Sequence, residues 1–219
     1  MNPKQRFSIN RIVTALIFAD LAVLTGWGLV NPIMSVFVTQ KIAGGSLAAV
    51  GIMVSIFWFT RAVLMVPIAA YLDRAPGERN DFEALVMGLM IAAVAAFLEP
   101  LATTVTHIYL IEFIHAVAFS FYIPAWTALF THHVDPDHTS VEWAIDRSVS
   151  AIAAGGSALL GGIVANAFGF TTVFVVAGTC CIVGALGVLF GPKIVIPHGM
   201  VRIRHPWQSL SDGVLNKIK

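Results

Sequence analysis

Ala69-Ala70-Tyr71-Leu72-Asp73-Arg74-Ala75-Pro76-Gly77-Glu78-Arg79 is where a long apolar run stops and four charges arrive within seven residues. Asp73 and Arg74 stand where the preceding run leaves hydrocarbon, Pro76 and Gly77 force a tight reversal, and a new apolar run starts near Ala84. The stretch therefore reads as a membrane exit followed at once by re-entry. Composition agrees: 58% of the 219 residues are hydrophobic and only 11% are charged, with a mean hydropathy of +0.84. That leaves too little polar surface to coat a water-soluble globule of this size. The net charge of +1 gives no general attraction to nucleic acid.

Working outward, six runs reach the roughly 20 residues that a hydrocarbon core of about 30 Å requires. They lie near 10–38, 47–71, 84–104, 107–131, 145–167 and 171–191. The runs are continuous rather than alternating, and lipid offers no partner to open backbone groups, so helices are expected over barrel strands. The fold class is all-α with six membrane-spanning helices. The first run is too long for a cleavable leader and should persist as a span. Residues 1–9 form a short arm. After Pro192 the tail 193–219 carries Trp207, Leu210, Val214, Leu215 and Ile218 at helical spacing beside Lys217 and Lys219, the pattern of a short amphipathic helix on the membrane surface.

Orientation follows from the basic residues. Lys4, Arg6, Arg11, Arg74, Arg79, Arg147, Lys193, Arg202, Arg204, Lys217 and Lys219 fall on one side, Lys41 on the other, and Arg61 within a span. Both termini are expected in the cytoplasm, in a plasma (inner) membrane. Pro32-Ile33-Met34-Ser35 is echoed by Pro124-Ala125-Trp126-Thr127, and Pro100 follows Pro32 by the interval that separates Pro192 from Pro124. Three spans followed by three similar ones enter from opposite sides, which predicts a 3+3 inverted repeat. Chance recurrence of proline near helix ends is the competing account.

The exit loop, through Leu72, Asp73, Arg74, Gly77 and Arg79, resembles the G-x-L-x-D-R-x-G-R-R loop between the second and third spans of the major facilitator superfamily. Ala69 or Ala70 stands at its first Gly, and Glu78 interrupts the basic end. Gly155-Gly156-Ser157-Ala158-Leu159-Leu160-Gly161-Gly162 is similar to the family's Gly-rich fifth-span motif, with Ala158 at the proline position. Small residues at this spacing equally suit a plain helix-packing seam. In the fourth span Leu110–Ala116 occupies the family's R-x-x-Q-G position, with Glu112 for Arg and His115 for Gln. The resemblance, covering residues 10–192, implies the six-span N-terminal half of a transporter that moves a small solute by alternating access, with proton-coupled efflux as the finer expectation. One bundle supplies one wall, so a second copy or a separate C-terminal half is the expected partner, besides lipid and solute. The rival reading is a non-transporting six-span scaffold or a truncated remnant of a transporter.

Ionisable groups at membrane depth are costly, by about 2.5–3.5 kcal/mol on insertion scales, and mark sites or structural pairs. Asp20 and Arg61 both fall about 13–18 Å from the cytoplasmic boundary at the ~1.5 Å rise of a helix, so they are expected to pair or to build a substrate or proton site. Glu112 and His115 share a helix face and either exchange a proton or sit at the rim. With Asn31 and Tyr122 these residues make up the expected substrate or proton path. Glu99, beside Pro100, is expected at the interface. Phe57, Trp58, Phe119, Phe121, Tyr122 and Trp126 suit either an amphipathic solute or contact with lipid. His132, His133, Asp135, Asp137 and His138 have metal-ligand chemistry but no matching spacing, and read as a solvated loop. Cys180 and Cys181, adjacent in an apolar run, read as small packing residues. No cofactor is expected. No Ser and His pair, paired Asp motif or His-x-x-Glu-His arrangement at matching depths supports an enzyme.

Overall fold

The computed structural model describes residues 10–74 and 77–190. The arm, Pro76 and the proposed amphipathic tail lie outside them. Six long helices run in order: α1 (Arg11–Lys41), α2 (Leu47–Leu72), α3 (Arg79–Leu98), α4 (Val105–His133), α5 (Thr139–Phe168) and α6 (Phe170–Phe190), with one 3-10 turn at Glu99–Leu101. All six are long and apolar enough to cross a membrane, and no strand is present among the described residues. Asn10 opens α1 by accepting from the Ile12 amide at 3.0 Å, and Ser46 opens α2 by accepting from the Ala49 amide at 3.1 Å.

The connections pair up at the two ends of the bundle. At one end the α1–α2 and α3–α4 turns are stitched by Ala43 N–H donating to Thr103 O at 2.9 Å and Val105 N–H donating to Ala43 O at 3.3 Å. At the other, Glu78 in the α2–α3 loop lies 3.5 Å from His132 Nδ1 and 3.4 Å from His133 Nε2 at the end of α4. The residue that interrupts the loop's basic pattern is thus its tie to the next hairpin. Arg79 instead pairs within its own helix, with Glu83 at 2.7 Å. Gly77 turns the chain at φ +91°, where an added Cβ would meet nothing. Gly77→Ala therefore isolates backbone strain: we expect a loss of about 1–2 kcal/mol, the cost of the left-handed region for an L-residue. Equal unfolding midpoints for Ala and Gly would sink that expectation.

α1 packs mainly on α5 and α6, and α4 mainly on α2 and α3. In lipid there is little hydrophobic drive between helices, so close approach at small residues carries the packing. Gly26 lies against Ala177 of α6, Gly28 against Ala154 and Ser157 of α5, Gly161 against Leu29, and Gly88 of α3 against Ala118 and Tyr122 of α4. The predicted glycine seam is narrower than expected. Gly161 is in it, whereas an added Cβ at Gly155, Gly156 or Gly162 would meet nothing within 4 Å.

α5 reverses the pattern of a soluble amphipathic helix. Its buried residues are Glu142, Asp146, Ser150, Ser157 and Gly161, while Ile152, Leu159, Leu160, Ile163 and Phe168 are exposed. A polar inner stripe with an apolar outer face is what a lipid-facing helix needs when the bundle interior holds charge.

Candidate functional site

α1, α2 and α4 open a cavity of about 520 Å³, to which α5 and α6 contribute Arg147, Phe174, Ala177 and Cys181. It holds two acidic stations. The first, in the half nearer the Asp73-Arg74 loop, is centred on Asp20, which is 7% exposed. Tyr122 Oη donates to Asp20 Oδ1 at 2.8 Å and Ser150 Oγ donates to Oδ2 at 2.8 Å, so one carboxylate joins α1, α4 and α5. Close by, Trp126 Nε1 donates to the Leu16 carbonyl at 3.0 Å and holds α4 to α1. Asp146 of α5 is fully buried, interacts electrostatically with Asp20, and lies 3.4 Å from Arg147 Nε. The Arg147 guanidinium in turn lies over the Trp126 and Trp143 rings at 5.6 and 5.4 Å.

The second station lies toward the opposite end, where Glu99, Glu112 and His115 are all buried and line the same cavity. One ligand-type atom from each falls within 4.8 Å of the others. Glu99 Oε2 and His115 Nδ1 have no hydrogen-bond partner. Glu99, whose place beside Pro100 suggests contact with water, is buried in the protein. The 3-10 turn that ends α3 swings it inward to 2% exposure.

Between the stations stands an aromatic cluster. Trp27 packs on Phe57 at 5.6 Å, on Phe119 at 5.4 Å and edge-on to His115 at 4.6 Å, and Phe119 reaches Tyr122 at 5.9 Å. These rings separate the two acidic groups by an apolar partition inside one cavity.

Of the expected path residues, the structure brings Asp20, Asn31, Arg61, Glu112, His115 and Tyr122 to the cavity wall. It does not join Asp20 to Arg61. The Arg61 guanidinium lies over Trp58 at 4.4 Å and Phe57 at 5.8 Å, and Asp20 takes its partners from α4 and α5. Both line the cavity, but α1 touches α2 only slightly. Phe57, Phe119, Tyr122 and Trp126 line the cavity, and Trp58 lines it while remaining exposed. Phe121 packs against the core instead. Asp73 N–H donates to Ala69 O and Arg74 N–H donates to Tyr71 O at the end of α2, and neither residue lines the cavity. In the His-rich loop, His138 Nδ1 lies 3.0 Å from Asp135 Oδ2, and this contact holds the Asp135 carboxyl below the usual carboxylate range.

Glu99, Ser150, Asp146 and Arg147 are the cavity and near-cavity groups that the apolar runs hid. A signal existed for α5: Glu142, Asp146 and Ser150 recur every fourth residue, and Ser157 and Gly161 continue that face. No curated protein matches the chain. The sequence profile described as Major Facilitator Superfamily matches residues 16–211, nearly the whole chain and all but the first turns of the bundle. With six helices able to cross a membrane and a polar cavity between them, the chain belongs to the Major Facilitator Superfamily, a family of integral membrane transporters rather than enzymes.

Proposed function

We propose that this bundle is one wall of an alternating-access carrier for a small solute, that proton movement through Asp20 drives it, and that transport runs outward as efflux. The observation that carries this reading is the cavity, which holds a buried carboxylate hydrogen-bonded to two other helices. A single carboxylate joining α1, α4 and α5 is placed to change the packing of all three when its charge changes. A second bundle completes the path, whether as a second copy or as a separate C-terminal half. Support for a facing bundle comes from α2 and α5, which keep the broadest exposed apolar faces.

The 3+3 inverted repeat belongs to the same proposal. Under it α1 matches α4, α2 matches α5 and α3 matches α6. In keeping with this, α1 packs on α5 and α6 while α4 packs on α2 and α3. Asp20 precedes Pro32 by the interval at which Glu112 precedes Pro124, so the repeat relates the two acidic stations to each other. Both termini cytoplasmic, the arm at 1–9 and the tail at 193–219 complete the proposed organisation, on the strength of the basic residues alone.

The test is flux in proteoliposomes with and without a pH gradient, scanning small amphipathic cations and neutral solutes against the aromatic wall. We expect uptake into vesicles that responds to the gradient. Absence of flux in every gradient, from a monodisperse single bundle, would favour the non-transporting scaffold.

A further inference from the structure

We infer that Glu99, Glu112 and His115 form a binding site for a divalent first-row transition-metal cation, reached from the cavity. Two carboxylates buried side by side are costly without positive charge close by. Among the described residues no Lys or Arg forms an ion pair with either one, and the Arg side chains on the cavity wall, Arg61 and Arg147, lie over Trp58 and over Trp126 and Trp143. A dication neutralises both at once. The second, independent observation is that Glu99 Oε2 and His115 Nδ1 are left without partners, on residues 2% and 6% exposed. Buried polar atoms are otherwise almost always satisfied.

The ligand atoms lie within 4.8 Å of one another. Around a tetrahedral ion with bonds of about 2.0–2.2 Å they would sit about 3.4 Å apart, so binding draws the two carboxylates in toward the ring. Trp27, edge-on to His115 at 4.6 Å, restricts the imidazole ring. The donor set also sets the class of ion. Two oxygens and one imidazole nitrogen suit Mn²⁺, Fe²⁺, Co²⁺ or Zn²⁺, whereas Ca²⁺ wants six to eight oxygens and Mg²⁺ a near-ideal oxygen octahedron. The cavity side leaves room for water or a solute group to complete the shell. This site rests on ligand geometry and stands apart from the carrier reading.

The test titrates Co²⁺ into the purified protein in detergent and follows its visible absorption, with Zn²⁺ as competitor. We expect saturable binding of one ion per chain, displaced by Zn²⁺ and indifferent to millimolar Mg²⁺. Glu112→Gln and His115→Asn should each weaken it by at least 10-fold, since even outer-shell partners of a metal ligand are worth 10–100-fold. Asp20→Asn should leave it unchanged. So should His132→Ala/His133→Ala, which separates the site from the His-rich loop. Absence of saturable Co²⁺ absorption in the monodisperse wild type overturns the proposal without recourse to any variant, and so does binding that survives both Glu112→Gln and His115→Asn. A chain that binds Co²⁺ but moves no solute loses the carrier reading and keeps this site.

Discussion

Asp20→Asn is expected to suppress the response of solute flux to a pH gradient while the bundle stays folded. The substitution is isosteric, and its side-chain oxygen still accepts from Tyr122 Oη, which lies at 2.8 Å from Oδ1. The new NH₂ faces Ser150 Oγ, at 2.8 Å from Oδ2, and the serine hydroxyl can rotate from donor to acceptor. Both links to α4 and α5 therefore survive, and only the capacity to take and release a proton is lost. We expect gradient-driven flux to fall by roughly 10²-fold, the lower end of what a positioned proton-transfer group contributes. Asp20→Leu is the contrasting variant. It strands the Tyr122 and Ser150 donors in a buried site, at about 1–3 kcal/mol each, so it should lower stability as well as flux. Gradient-driven flux undiminished in Asp20→Asn would remove Asp20 from the proton path.

How far the sequence reveals this site depends on which physical quantity each residue reports. Apolar runs report where hydrocarbon begins, and the six spans are legible for that reason. They do not report where a helix begins. α3 starts at Arg79 and α5 at Thr139, several residues before the apolar runs, because polar residues continue the helix beyond the apolar core. Axial rise likewise gives depth, which brings Asp20 and Arg61 to one cavity, but not rotation about the helix axis, which turns Asp20 toward Tyr122 and Ser150. Glu99 escapes for a third reason. A carboxylate beside a helix-ending proline ordinarily reaches water, and only the packing of the 3-10 turn carries this one inward. The loop resembles the family's motif at Asp73, Arg74, Gly77 and Arg79, yet the side chain that ties this loop to α4 is Glu78, where the motif is broken.

Gly161→Val and Gly28→Val are the substitutions with the largest expected cost to stability. The two positions belong to one seam: a Cβ on Gly28 would run into Ser157 and the backbone of Ala154, and a Cβ on Gly161 would run into the backbone of Leu29. Neighbouring backbone, unlike the end of a flexible side chain, cannot step aside without moving α1 off α5. That contact carries Asp20 and Ser150 into register, so separating the helices by the width of a methyl group also breaks the 2.8 Å bond between them. Overpacking in soluble cores costs about 1–3 kcal/mol and occasionally more. We expect the upper end here, because lipid provides no hydrophobic drive to press the helices back together. Gly156→Val is the internal control. It changes helix propensity by the same amount, but its Cβ meets nothing within 4 Å. Size-exclusion profiles in detergent and unfolding midpoints should separate the set, with Gly156→Val near wild type and Gly28→Val and Gly161→Val far below it. If Gly161→Val unfolds together with Gly156→Val, the α1–α5 seam does not hold the bundle, and the position of Asp20 against α5 must have another cause.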